Sequence, residues 1–509
     1  MVSRKIDYSR QFLTRLRHTI LNLGVPYSCG STENKVFLKR FYDEQLAHAS
    51  YLVGCYVSGE AIVIDPSRNI QQYIQAATDE AMRIVAVTET HIHADFLSGS
   101  RELAQTAGAT LYLSDEGDAE WKYQYVNNPN IKLVKHGDVI MLGNIKLDIW
   151  HTPGHTPEHI SFVVTDGAES TEPLGAFTGD FIFVGDVGRP DLLDRVAGFK
   201  DTMEKGARVL YQSLQRFVSA MPDHLLIMPA HGAGSACGKA LGGVPFSVLG
   251  YQKSVNWALR CKTEQEFVDG VLSGQPEPPF YFKEMKRMNK MGPAILGSLK
   301  TPSKLSATIL RNSTSFLIDI RPATALRNGF YPGSIGVASC RLCRSFATWT
   351  GWHAPYDRDI VIIANTEEDV IVATRSMEAI GLDRVTGWVQ FDDIPADQVE
   401  PINLISVEDA MGRSAIGEVN ILDVRGRSEY EAGHIPGVTW IPFGYLEGRL
   451  SEVPKDKPLV IHCAGGNRSP IAYTVLRKHG LQNLFEMNSG YKGYQATDGK
   501  VEKGVLVGA

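Results

Sequence analysis

Two stretches of this chain, 104 residues apart, repeat one pattern. LIDIRPATALRNGFYPGSIGV (317–337) aligns with ILDVRGRSEYEAGHIPGVTWI (421–441), setting Asp319 on Asp423, Arg321 on Arg425 and Gly333 on Gly437. Farther on, VIIAN (361–365) matches LVIHC (459–463), and AIGL (379–382) matches KHGL (478–481). Each copy reads strand, helix, strand, helix. A repeat of that composition is predicted to build a small α/β domain with a parallel sheet, twice over. At 509 residues the chain exceeds what one core can organise, and its length suggests roughly three domains.

Upstream of the repeat, from Val36 to about Gly250, short β-rich runs alternate with glycine-bearing loops. AIVIDPS, RIVAVTET, IKLDIWHTPGH, GAFTGDF and LLIMPAHG each end an apolar run on His, Asp or Gly. Strand ends hold side chains more firmly than free loops do, which a rigid site requires. A helical and then Pro-rich segment follows, YQKSVNWALRCKTEQEFVDGVL, SGQPEPPFYF and KEMKRMNKMGP, and reads as a boundary near 250–300. The predicted division is an extension at 1–35, a ligand-bearing domain at 36–250, a connector at 251–302, and repeat domains at 303–395 and 405–509. Few contacts are expected to cross 274–300.

The formal net charge of -6 gives no reason to expect nucleic acid or an anionic membrane as partner. No apolar run approaches the ~18 residues of a spanning helix. Seven scattered cysteines are too few for a disulfide framework, which favours a reducing, cytoplasmic setting. MVSRKIDYSRQFLTRLRHTILNLG sets five basic residues (Arg4, Lys5, Arg10, Arg15, Arg17) against Asp7. That is the composition of an organelle transit peptide, which would make the destination mitochondrial, or of a short solvated extension. A homo-oligomer is the expected assembly.

Three stretches supply metal-ligand residue types: THIHADF (90–96), HTPGHTPEH (151–159) and FTGDF (177–181). Together with PAHGAGS (229–235), and in this order, they resemble the metallo-β-lactamase superfamily over about 36–250, which implies an αββα sandwich. In two-metal hydrolases of that superfamily, the Asp and His that end HxHxDH help hold the second metal. Here the last position is Phe96, which has no lone pair to donate, so a single-metal site is favoured. The matching single-metal relatives are the persulfide dioxygenases. The resemblance to them implies one Fe(II) per chain, held by His91, His155 and Asp180, with His93 and Asp95 behind as orienting groups. Two histidines and a carboxylate leave three positions open on iron, which suits oxygen chemistry. It further implies that Arg189 meets the carboxylate of a glutathione-type thiol, though a structural pair with Asp186 or Asp191 is the competing expectation. Cys237 is either a sulfur-relay thiol near the iron or a buried, inert cysteine.

CAGGNRS (463–469) follows the apolar LVIH and precedes the helix-like PIAYTVLRK. A cysteine at a strand end, ringed by loop N–H groups, Arg468 and a helix N-terminus, is set up to be a thiolate. With LDVRGRSEYEAGHIPG, the segment resembles the rhodanese family over about 405–509, making Cys463 the residue that carries sulfane sulfur. Tyrosine phosphatases place five residues between Cys and Arg; the four here, AGGN, form a smaller ring. The first copy reads VIIANTEEDV at this place, with no cysteine or loop arginine, and its acidic run would repel an anion. It is expected to be catalytically dead and to serve packing or positioning. Cys340 and Cys343 form an isolated CxxC, read as incidental thiols.

These resemblances imply a persulfide dioxygenase–rhodanese fusion of the bacterial sulfide-detoxification type. Its small-molecule partners would be a thiol persulfide, O2, and sulfite or thiosulfate. The alternatives are a zinc-dependent thioester hydrolase of the glyoxalase II type and a non-catalytic sulfur carrier or sensor.

Overall fold

A computed structural model describes residues 36–192, 202–297, 301–338 and 345–504. The basic N-terminal segment and the Cys340/Cys343 pair lie outside the described residues.

The first six strands, β1 (Val36–Asp43), β2 (His48–Cys55), β3 (Glu60–Ile64), β4 (Arg83–Thr88), β5 (Thr110–Ser114) and β6 (Ile131–Val134), form one sheet in sequence order. The next six, β7 (Val139–Leu142), β8 (Ile145–His151), β9 (Ile160–Asp166), β10 (Gly175–Gly179), β11 (Leu226–Pro229) and β12 (Ser247–Val248), form a second, also ordered along the chain. β2 and β9 are buried at every position rather than at alternate ones. Strands covered on both faces read as continuous apolar runs. Tyr51, Ile62, Ile149, Phe162 and Phe177 fill the space between the sheets. The outer face of the first sheet packs Leu52 and Val63 against Tyr73 and Leu103 of helices Gln71–Asp79 and Ser100–Ala107. The outer face of the second packs Val163 and Ala176 against Leu210 and Phe217 of helix Met203–Ala220. The result is the four-layer αββα sandwich expected from the ligand motifs.

The repeat appears as two parallel sheets. β13 (Phe316–Asp319), β14 (Ile335–Gly336), β15 (Ile360–Ala364) and β16 (Val385–Gln390) are ordered 14-13-15-16. β17 (Leu404–Ile405), β18 (Asn420–Asp423), β19 (Thr439–Trp440), β20 (Leu459–His462) and β21 (Leu484–Met487) are ordered 17-21-20-18-19, which is the same arrangement with one strand added. In both copies an aspartate ends the first repeat strand and takes a two-pronged bond from the arginine two residues on, Arg321 to Asp319 and Arg425 to Asp423. Each arginine also donates to a glycine carbonyl that closes the following helix, Gly329 or Gly433. These shared residues hold the turn between strand and helix.

The connector differs from expectation. Its helix Tyr281–Met291 is not a loosely attached linker: Tyr281, Phe282, Met285 and Asn289 are buried. Tyr281, Phe282 and Met285 pack in one cluster with Phe96 and Leu97 on one side and Ile380 on the other. Contacts therefore do cross 274–300. The Leu97 amide also donates directly to the Ala379 carbonyl at 2.8 Å, and Arg68 pairs with Asp383 at 2.5 Å. The helix leaves Lys283, Arg287 and Met291 to solvent and buries its opposite face, so the sequence that looked like a boundary is a shared core.

Glu447 joins the two repeat units. Its carboxylate meets His353 at 3.4 Å, Lys478 at 3.3 Å and His479 at 3.0 Å. Burial opposes its charge, but the His353 and His479 contacts win and pull the carboxyl down to about 2. A depressed carboxyl contributes stability that is present above its ordinary value and lost as the pH falls toward the lowered one. Glu447→Gln should therefore cost on the order of 1–2 kcal/mol near pH 5, with the gap closing as pH drops from about 4.5 toward 2. Urea titrations across that window check it; a gap unchanged down to pH 2 would exclude the charge contribution.

Candidate active sites

The turns after β4, β8 and β10 meet at one end of the sandwich and bring His91, His155 and Asp180 together. One ligand atom from each lies within 4.8 Å of the others, and all three residues are buried. His155 Nε2 is 3.4 Å and His91 Nε2 4.0 Å from Asp180 Oδ2. His91 Nε2 and both Asp180 oxygens are buried without a hydrogen-bond partner. Neighbouring groups set the tautomers. Thr90 donates its hydroxyl to Asp65 Oδ2 at 2.9 Å, so the 3.0 Å contact to His91 Nδ1 must be donated by the ring. His155 Nδ1 donates to the Arg189 carbonyl at 2.9 Å. Both rings thus turn an Nε2 lone pair inward. Burial, followed for His91 by repulsion from His93, pushes both imidazoles below their ordinary range, so they stay neutral donors. The Asp180 amide is fixed on His159 Nε2 at 3.0 Å. The orphaned His91 Nε2 and Asp180 oxygens, with the His155 Nε2 lone pair converging on them, fit a bound divalent cation.

His93 and Asp95 do not join that group. His93 Nε2 donates to Asp65 Oδ1 at 3.0 Å; burial works against its proton, but the Asp65 carboxylate prevails and its imidazolium is pushed up to about 9. Asp65 itself sits in the left-handed region, φ 51°, which aspartate tolerates better than most residues. Asp95 instead faces His231 and Cys237 in a second buried group of possible ligands. His231 Nε2 lies 3.3 Å from Asp95 Oδ2 and 3.3 Å from Asp180 Oδ1, bridging the two groups. Phe96 fills the position beyond, its ring 3.9 Å from that of His48 and 4.4 Å from that of His93. The connector anchors this loop: Asn289 donates to the His93 and Phe96 carbonyls and accepts from the Ser98 amide, while the Tyr281 hydroxyl donates to the Asp95 carbonyl. His231 had a signal in the PAHG segment. Asp65 and Asn289 had none, since a lone Asp and a lone Asn fit many roles.

Arg189 departs from the substrate-binding expectation. Its guanidinium is fully buried and forks onto Asp191 at 2.7 Å through both Nε and Nη2, while Nη1 donates to the Ala236 and Pro276 carbonyls. A fork already matched to a carboxylate does not present itself to another. The arginine closes the loop whose carbonyl aims His155. Cys237 is equally buried. Burial first, then Asp95 and Asp180, push its thiol well above the ordinary range, which suits a sulfur relay poorly.

At the other end of the chain, Cys463 follows β20 and its sulfur accepts from the Gly466 amide at 3.1 Å, with Ser469 Oγ at 3.5 Å. Burial alone would raise the thiol. The Ser469 hydroxyl, the Arg468 charge and the loop amides more than offset it, and the thiol lies below its ordinary value. Arg468 is there as expected, but its fork is held by Glu429 at 2.5 and 2.7 Å, a partner not anticipated. In the first copy, the residues matching this cradle are wound into a helix, Glu367–Glu378, capped by Thr366. Acids in a first helical turn favour the helix. No anion cradle forms at that place.

Two family descriptions match these regions: the Metallo-beta-lactamase superfamily over residues 44–231, and the Rhodanese-like domain over 406–497. A solved metallo-beta-lactamase from Staphylococcus aureus subsp. aureus COL is 40% identical, with a TM-score of 0.64, covering 70% of this chain and 99% of that one. The chain belongs to the metallo-β-lactamase superfamily. It joins a C-terminal rhodanese-like domain to that superfamily's sandwich. Among curated relatives in the superfamily, the mitochondrial persulfide dioxygenase ETHE1 of Bos taurus is 28% identical over 200 residues, 38% of this chain and 68% of that protein. The hydroxyacylglutathione hydrolase GloC of Haemophilus influenzae is 27% identical over 199 residues, 36% of this chain and 86% of that protein.

Removing one partner of a buried ion pair typically costs about 3–5 kcal/mol. Arg189→Ala should therefore lower the unfolding midpoint and the retained metal together. A residue that only binds substrate would instead raise KM while leaving the unfolding midpoint where it was.

Proposed function

We propose that the chain is a persulfide dioxygenase coupled to a sulfurtransferase, with 36–250 and 405–509 as the working parts and the inactive copy at 303–395 between them. The observation that carries this reading is the convergent His91–His155–Asp180 group beside a position closed by Phe96. Fe(II) held there would activate O2, and the four electrons that reduce the O2 would come from the sulfane sulfur as it becomes sulfite. The overall conversion is RSSH + O2 + H2O to RSH + sulfite + two protons. Around it, Thr90, His159 and the Arg189 carbonyl hold the ligands in place, while Phe96 keeps one side of the site apolar and dry.

Cys463 does the second half. Its thiolate attacks the outer sulfur of a persulfide, the S–S bond breaks toward the departing thiol, and the sulfur stays as a cysteine persulfide under the Gly466 amide. Sulfite then takes that sulfur and leaves as thiosulfate, restoring the thiolate; the same steps run in reverse. Linking the two parts raises the effective concentration of sulfite at the second. Chemistry that needs a free thiol fits a reducing compartment, and among the described residues no helix is long and apolar enough to cross a membrane.

A second reading has its own support. Asp95, His231 and Cys237 form a further ligand group, and a hydroxyacylglutathione hydrolase is among the relatives, so a two-zinc thioester hydrolase is the competitor. Elemental analysis separates them: one iron per chain, lost in His155→Ala, supports the dioxygenase, and two tightly held zinc ions overturn it.

Cys463→Ser keeps the size of the side chain but supplies a hydroxyl that is no nucleophile at neutral pH. The variant should consume O2 with glutathione persulfide at the wild-type rate, and its product should change from thiosulfate to sulfite. Asn365→Ala, in the inactive copy, should alter neither. Undiminished thiosulfate from Cys463→Ser would place sulfur transfer on another thiol.

A further inference from the structure

The inactive copy reaches into the sulfur-transfer loop of the active one. Arg327 lies in the last turn of the helix Ala323–Asn328, in the first repeat unit. Its guanidinium crosses to the second unit, where Nε and Nη2 fork onto Glu486 at 2.8 and 2.7 Å, and Nη2 also donates to the Gly466 carbonyl at 2.6 Å. Gly466 is the residue whose amide meets Cys463 Sγ at 3.1 Å, and its φ of 89° is open to glycine. A Cβ at that position would lie 2.8 Å from Arg327 Nη2, so loop and arginine are fitted to each other. Glu486, on β21, is fully buried and also accepts from Ser469 Oγ at 2.7 Å; that hydroxyl is in turn 3.5 Å from Cys463 Sγ. The aligned position in the active copy, 104 residues on, is Glu431, so the charge is not inherited from the shared fold.

A buried carboxylate one hydroxyl away from a nucleophilic sulfur is a liability. Left unpaired, it disfavours a second negative charge on Cys463. Paired with Arg327, it becomes part of a neutral unit that still holds the Ser469 hydroxyl and leaves the Gly466 amide aimed at the sulfur. We infer that Arg327 of the inactive copy is a positioning residue for sulfur transfer at Cys463, acting by neutralising Glu486 and fixing the Gly466 peptide. The inactive copy is then a structural half of the site. The inference rests on the sulfurtransferase reading of Cys463. In that reaction the thiolate takes the outer sulfur of thiosulfate, the S–S bond breaks, and sulfite departs with the electron pair.

The test uses the full chain and four variants: Arg327→Gln, Arg327→Lys, Glu486→Gln, and Arg327→Gln with Glu486→Gln. Two readouts are taken against pH: thiosulfate sulfurtransfer, and iodoacetamide labelling of Cys463 followed by mass spectrometry. The labelling needs no turnover, so it reads the thiolate even if the sulfurtransferase reading fails. Arg327→Gln should move the labelling midpoint up by about one unit and cut the rate at pH 7 roughly tenfold. Arg327→Lys should restore much of the pH profile, since it keeps the charge, but not the full rate, since it loses the fork. In the double variant the midpoint should return toward wild type, because neither charge remains. O2 uptake with glutathione persulfide should be unaffected in all four, which also shows that the chain is folded. A labelling midpoint in Arg327→Gln equal to wild type overturns the inference. So does a double variant shifted as far as the single one, which would mean that the arginine only packs. Absence of sulfurtransfer in the wild type, with the labelling shift present, would overturn the sulfurtransferase reading alone.

Discussion

Asp95 and Asp180 bury four carboxylate oxygens at one end of the sandwich, and none of them has a hydrogen bond. Taking even one carboxylate out of water costs several kcal/mol, and mutual repulsion adds to it when two lie together. The neutral imidazoles of His91 and His155 offer no protons inward, because each spends Nδ1–H on an outer oxygen. Such an arrangement favours a positive charge between the two carboxylates. Much of the surrounding structure follows from that need: Asp65 and Thr90 set one ring, the Arg189–Asp191 pair sets the loop that aims another, and His159 pins the Asp180 backbone.

The same constraint explains why the connector is not a linker. The HIHADF loop carries two of the inward groups, and a loop that must hold unpaired lone pairs in place needs its own backbone satisfied elsewhere. Asn289 and Tyr281 do this from outside the sandwich, tying the His93, Asp95 and Phe96 carbonyls. Phe96 then has a dual character. It presents a ring to His48 and His93 within the site and belongs to the apolar cluster that runs on through Tyr281 and Ile380. Phenylalanine at this position offers no ligand atom and also gives the next unit something to pack against.

The legible parts of the sequence were those where chemistry and period coincide. His91, His155 and Asp180 stand at the ends of apolar runs, and Cys463 stands in a glycine loop between strand and helix; both patterns survive without knowledge of the partners. The αββα layers were implied by the resemblance of the ligand motifs to a known superfamily, while the parallel repeat sheets followed from self-alignment. What was not legible is pairing across long sequence distance. Asp191 beside Arg189 was visible as one of two candidates, because the residues are adjacent; Glu429 with Arg468, 39 residues apart, and Arg327 with Glu486, 159 apart, were not. The connector was misread because its prolines and charges signal a boundary, while its buried face rests on four residues: Tyr281, Phe282, Met285 and Asn289.

The repeat itself sorts fold from function. What the two copies share is buried and local: Asp319 with Arg321, Asp423 with Arg425, each arginine on the glycine carbonyl that ends the next helix. These residues make a strand turn into a helix and would be needed in any copy, active or not. What they do not share comes in complementary sets. Cys463 faces Asn365 in the alignment, Arg468 faces Val370, and Glu429, which holds Arg468, faces Ala325. The arginine and its clamp are absent together, as they must be if an isolated charge in that place would have no partner. Arg327 runs the other way: the first copy has an arginine there, and the second copy has Glu431. Arg327 reaches across to Glu486 and the Gly466 carbonyl of the second unit. The cysteine and the loop arginine thus stand in one copy, while an arginine of the other copy holds the carbonyl of their loop.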